Sequence, residues 1–118
     1  MIVPVLPSAD MARDLDWYAR HLGFRALSTE NGYAVLRRAD WRIHLQWHAD
    51  TPEDPLLGGS VIKLFVPDID PWVAELTERG SITPSQVRRH TPWGTHEIGL
   101  FDLNKNAIFV VAVAESAA

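Results

Sequence analysis

Within 118 residues the chain runs twice through one order of elements: a strand, a helix closed by glycine, then further strands ending in a hairpin. In the first pass, residues 2–7 (IVPVLP) read as a strand whose prolines, Pro4 and Pro7, confine it to an edge, a bulge or a change of direction. Ser8 is placed to cap a helix over roughly 9–22, because Met11, Leu15, Tyr18 and Leu22 fall on one stripe and Gly23 supplies a left-handed stop. Three strand-like runs follow, 24–29, 32–38 and 41–48, parted by the turn signals Asn31-Gly32 and Ala39-Asp40. The second pass comprises a strand at 60–66, a helix over 69–79 and strands at 95–101 and 107–113, with a poorly patterned stretch before the last pair. Its helix is striped by Ile69, Val73 and Leu76, capped by Asp68 and ended by Gly80. Between the passes, residues 49–59 hold two prolines, two glycines and no apolar period. The expectation is one α+β domain over 1–118, with module one about 1–48, a loop at 49–59 and module two about 60–113. Each βαβββ module has a curved mixed sheet covered on one face by its helix, and the remaining faces are expected to enclose a cavity.

Charge and composition narrow the function. The net charge of −4 argues against a nucleic-acid partner, which needs a basic face. Arg37, Arg38 and Arg42, with Arg88 and Arg89, make two local basic spots, read as solvated surface in preference to a phosphate site. The absence of cysteine removes disulfides, thiolate metal sites and a cysteine nucleophile. The opening MIVPVLPSAD lacks the features of a secretory signal, and no run approaches the length of a membrane span, so a cytoplasmic protein with no membrane partner is expected. Five tryptophans are many for so short a chain, and some of them must lie near the surface.

Two stretches carry a resemblance. VPVLPSADMARDLDWYARHLGF resembles the start of bleomycin-resistance proteins, and TPWGTHEIGLFDLNKN resembles that family's final hairpin, whose turn is usually Asp-Pro-x-Gly-Asn. Leu103 and Lys105 stand here where that turn has proline and glycine. The chain thus resembles the glyoxalase/bleomycin-resistance/dioxygenase superfamily over nearly its whole length, with its bleomycin-resistance branch the nearest in pattern. The resemblance implies a homodimer, its first strand exchanged or not, with pockets lined by both chains. Pro4 and Pro7 suit a stiffened, exchanged arm and suit an ordinary edge strand equally.

Enzymes of this superfamily hold a divalent metal at four places on the strands, and alignment to them puts Val3, His44, Val61 and Phe109 there. Three of these residues have no lone pair to give, so neither a metal nor any other cofactor is expected. Strand alternation gives His44 the same face as Arg42, Gln46 and His48, and turns Ile43, Leu45 and Trp47 toward a helix, with Trp47 expected in the core. On the matching strands Val61, Lys63 and Phe65, and Ala107, Phe109 and Val111, would face the cavity. The resemblance implies stacking of flat ligand rings by Tyr33 and Trp93, although Trp93 could equally fill a gap beside its turn. Trp41 stands between ligand contact and packing, while Trp17 and Trp72 read as helix packing. The candidate ligand-binding set is therefore Tyr33, Trp41, His44, Gln46, Lys63, Phe65, Trp93 and Phe109. The expected function is non-enzymatic: sequestration of a flat aromatic antibiotic, bleomycin-type, anthraquinone enediyne or mitomycin, that confers resistance. The alternatives are a metal-dependent lyase or dioxygenase using His44, His48 and His96, and a metabolite- or flavin-binding module.

Overall fold

A computed structural model describes residues 1–114. They form two compact units, Met1–Ser60 with Asp102–Asn106, and Val61–Phe101 with the chain from Ala107 on. Each unit contains one four-stranded mixed sheet and one α-helix, an α+β architecture built as two βαβββ modules.

In the first unit, β1 (Val5–Ser8) leads into α1 (Met11–Leu22), followed by β2 (Arg25–Glu30), β3 (Tyr33–Arg38) and β4 (Trp41–Trp47). The sheet order is β1-β4-β3-β2, with β1 parallel to β4 and the other neighbours antiparallel. β1 pairs with β4 from Val5 opposite His44 to Ser8 opposite Trp47. The helix forms because its apolar and small polar residues share one stripe, and it stops where Gly23 takes φ 71° and donates to the Ala19 carbonyl. Asp10, two residues beyond the expected Ser8, is the N-cap and accepts from the Arg13 amide. The Ser8 hydroxyl instead donates to buried Asp14 on the helix. Leu6, Leu36, Ile43, Leu45, Tyr18 and Leu22 make the core, so alternation along the strands gives one helix-covered face and one second face.

Residues 102–106, the turn DLNKN, belong to this unit and explain its polar interior. Asp102 Oδ1 accepts the Asn104 and Asn106 amides, while Oδ2 accepts the Tyr18 hydroxyl at 2.6 Å and Asn106 Nδ2 at 2.8 Å. Asn104 Nδ2 donates to Asp14 Oδ2 at 2.7 Å, and its Oδ1 accepts the Ala9 amide and Arg13 Nη2. Burial and the neighbouring Asp102 charge push the Tyr18 phenol far above its ordinary value, so it is a permanent donor. The buried polar groups of this turn are therefore matched to partners with one exception among the described residues, Asn106 Oδ1, which accepts no hydrogen bond.

The second unit repeats the order: β5 (Val61–Phe65), α2 (Asp70–Glu78), a single 3-10 turn at Pro84–Gln86, then β6 (Val87–Arg88), β7 (Thr95–Phe101) and β8 (Ala107–Val113). Its sheet order is β5-β8-β7-β6, again with the first and last strands parallel. Ile69 occupies the N-cap of α2 without a side-chain bond, and the carboxylate of Asp68 still accepts the Asp70 amide. Leu64, Ile98, Leu100, Ile108, Val110 and Ala112 are buried with Leu76 of α2. No helix among the described residues is long and apolar enough to cross a membrane.

Candidate functional site

Each unit presents a second sheet face opposite its core, and seven of the eight expected site residues lie on or beside these two faces. In the first unit the register sets Tyr33 opposite Gln46 and Val35 opposite His44, so Tyr33, His44 and Gln46 emerge on one side of neighbouring strands. The Tyr33 hydroxyl and His44 Nδ1 share a hydrogen bond of 2.7 Å, and the rings meet edge to face with centroids 5.3 Å apart. Whichever group donates, the bond fixes both rings and leaves Nε2 of His44 as its remaining polar atom. Trp41 is not brought to this face. It shares the face of Ile43 and Leu45 and stacks on buried Phe24 at 6.4 Å, so it packs the core side. Trp47 also points to the helix side, yet it is 45% exposed and not core. It is the last residue of β4, and its indole N–H reaches the Ala9 carbonyl beside the start of the helix.

In the second unit the face comprises Lys63, Phe65 and Phe109, with Glu97 and Gly99 of β7 beside them. Gly99 pairs with Phe109, and a Cβ there would stand 2.9 Å from Phe109 Cε1, so the ring lies where only glycine leaves room. Phe65 is 59% exposed. Trp93 sits on a tight turn, Thr91 to Gly94, closed by the Gly94 amide on the Thr91 carbonyl, with Pro92 at the position where its fixed φ favours such a turn. The indole is 58% exposed, but its position is held. Its Nε1 donates to Glu97 Oε2 at 2.7 Å, and the Arg88 guanidinium lies 5.2 Å from the ring centroid.

Glu97 is the residue that strand patterning passed over. It is only 6% exposed, and the same Oε2 accepts the Thr95 hydroxyl. The Thr95 bond first, then the Trp93 bond, hold its carboxyl below the usual range against the cost of burial, with Lys63 and Arg88 adding to the effect. The signal for it is alternation: Glu97 is two residues before Gly99 and four before Phe101, so period two places it on the face of Phe109.

The arrangement does not suit a metal. Opposite His44 stands Val5 and opposite Phe109 stands Lys63, so the strand positions that face each other offer one imidazole, one ammonium and two hydrocarbon side chains. His48 Nδ1 is bonded to Asp54 at 2.7 Å, and this bond, with the Ala49 amide, lowers the Asp54 carboxyl. His96 Nδ1 accepts the His90 amide on the second unit's helix side, away from Phe109. Among the described residues no group of three or more histidines and carboxylates could hold an ion. Chemically, the faces offer exposed rings held by fixed hydrogen-bond partners beside charged side chains, which suits reversible stacking of a planar ligand.

Known proteins share the fold that carries these faces. A sequence profile described as the Glyoxalase/Bleomycin resistance protein/Dioxygenase superfamily matches residues 2–109. A bleomycin resistance protein of Geobacillus stearothermophilus is 26% identical over 121 residues, covering 90% of this chain and 91% of the relative. A bleomycin-binding protein solved in complex with bleomycin superposes with a TM-score of 0.77 at 22% identity, over 95% of this chain and 97% of its own. The bleomycin-binding protein of Streptomyces verticillus, complexed with copper(II)-bleomycin, gives 0.68 at 21% identity, over 98% and 95% of the two chains. The chain belongs to the glyoxalase/bleomycin-resistance/dioxygenase superfamily.

Proposed function

We propose that this protein is a non-enzymatic binding protein that sequesters a flat aromatic antibiotic, of bleomycin, anthraquinone-enediyne or mitomycin type, and thereby confers resistance. The observation that carries this reading is the Trp93 indole, exposed over 58% of its surface yet bonded at its edge to a buried carboxylate. Exposing an aromatic ring while fixing its orientation lowers the ordering cost of stacking a ligand on it. On the same unit as Trp93, Lys63, Phe65 and Phe109 supply further apolar area and an orienting ammonium, and the first unit's sheet offers a ring face of its own in Tyr33, His44 and Gln46. Relatives bearing the name bleomycin resistance protein, and neighbours solved with bleomycin, support the ligand class. A homodimer acting in the cytoplasm completes the reading, because a sequestering protein must meet the drug before the drug meets DNA.

The test is protection of plasmid DNA from bleomycin-induced strand breaks at graded ratios of protein to drug. Sequestration gives protection that saturates near stoichiometric protein, with drug recovered unchanged in mass. Protection by far less protein than drug, or recovery of an altered drug, would replace this reading with an enzyme.

A further inference from the structure

The second face of the first sheet carries a charge pattern that ring stacking does not use. Register places Arg25 opposite Arg37, and Arg37 opposite Arg42, so three guanidinium side chains leave one face of three adjacent strands in a single row. Like charges directly opposite one another destabilise a sheet. Two of the three converge further: Arg37 Nε donates to the Ala39 carbonyl at 2.8 Å, and Arg42 Nη1 approaches the same oxygen at 3.5 Å and the Trp41 carbonyl at 3.3 Å. Among the described residues no carboxylate stands within ion-pair reach of Arg25, Arg37 or Arg42. Even Asp40, in the turn between β3 and β4, makes no such pair. The net charge of −4 means that the row is not part of a generally basic surface, and it is too short to track a nucleic-acid backbone.

Arginine offers up to five N–H donors in a fixed fork, suited to two-point recognition of carboxylate, sulfate or phosphate. Few of the donors in this row are used within the protein. The next row on the same face contains Ser28, Val35, His44 and Val5, and the one after it Glu30, Tyr33, Gln46 and Pro7. Arg42 and His44 are thus one pleat repeat apart, roughly 7 Å along the strand. The geometry points to an anion-binding site formed by Arg25, Arg37 and Arg42, which receives a carboxylate, sulfate or phosphate carried by a ligand whose planar ring lies toward His44 and Tyr33. The ring half of this inference rests on the stacking function proposed above, while the anion half stands on the arginine row alone.

Two measurements separate the halves. In the first, sodium sulfate is titrated against sodium chloride at matched ionic strength while the arginine Nε–H resonances are followed by NMR. The second is a tryptophan-fluorescence titration with naphthalene-2-sulfonate and with 2-naphthyltrimethylammonium, which share a ring and differ in charge. The expected results are saturable, sulfate-specific shifts at Arg25, Arg37 and Arg42, and sulfonate binding at least about tenfold tighter than the ammonium. In Arg37→Gln/Arg42→Gln the preference falls to about unity while the thermal midpoint rises, because repulsion in the row has been relieved. A near-UV circular dichroism spectrum like that of the parent verifies that this variant is folded. Absence of sulfate-specific shifts, or equal binding of the two naphthalenes by the parent protein, overturns the anion site and leaves the stacking function in place. Sulfate shifts without binding of either naphthalene keep the anion site and overturn ring stacking.

Discussion

Glu97 acts on the site through Trp93, and the two residues make linked predictions. Glu97→Ala removes the acceptor that holds the indole by its edge, and ligand affinity is expected to fall by roughly tenfold as the ring gains freedom. Isothermal titration of parent and variant checks this. Because the folded carboxyl titrates below its ordinary value of 4.5, its contribution to stability is present above that value and is lost as pH falls through the lower, folded one. Tryptophan emission and thermal midpoint should therefore change together on acidification below that range, and Glu97→Gln should flatten that limb of the profile. At the other end of the same hairpin, Asp102→Ala would leave the buried Tyr18 hydroxyl and two backbone amides without their acceptor, and Asn106 Nδ2 with only the Pro7 carbonyl. The cost is about 3 kcal/mol or more, read as a lower midpoint of urea unfolding at unchanged slope.

Strands β7 and β8 depend on one another through Gly99 and Phe109. Gly99→Ala forces the Phe109 ring to move and is expected to cost about 1–3 kcal/mol, whereas in Gly99→Ala/Phe109→Ala the two losses should be less than additive. Thermal unfolding of the four proteins closes that cycle. How far each element was legible follows from the range of the interactions that define it. Alternation and a turn are local signals, and they bound the two hairpin strands at 95–101 and 107–113 to the residue. The two-residue strand β6 leaves no mark in the sequence, since Val87 and Arg88 are too few to show a period. Trp41 stands in the candidate set between ligand contact and packing, although its parity with Ile43 and Leu45 already places it on the helix-covered face. For Trp47 parity gives the direction and not the burial, because alternation says which way a side chain points and nothing about where the covering helix begins. The hardest feature to see was the polar network, in which Asp14 and Asn104 meet across 90 positions of sequence. Its residues look like a helix surface and a turn surface until the fold joins them.

At the scale of the whole molecule, two modules with one strand order each cover one sheet face with a helix and leave a second face that bears rings beside charged side chains. The outer strands are β1 and β2 in one sheet and β5 and β6 in the other, and Val5, Val61 and Phe65 on two of them are exposed. The proposed homodimer would cover such edges, as closed symmetric assemblies do. Sedimentation equilibrium should then give twice the chain mass, and a monomer at high micromolar concentration would contradict it. The central claim is reversible binding of a flat aromatic ligand at Trp93, and its most direct test is a tryptophan-fluorescence titration with bleomycin, mitomycin and an anthraquinone enediyne, in parent protein and Trp93→Ala. The account predicts saturable quenching by at least one of them with a Kd on the order of micromolar or tighter, weakened roughly tenfold by the substitution. Absence of saturable quenching by all three, or a Trp93→Ala protein that binds as tightly as the parent, would contradict it.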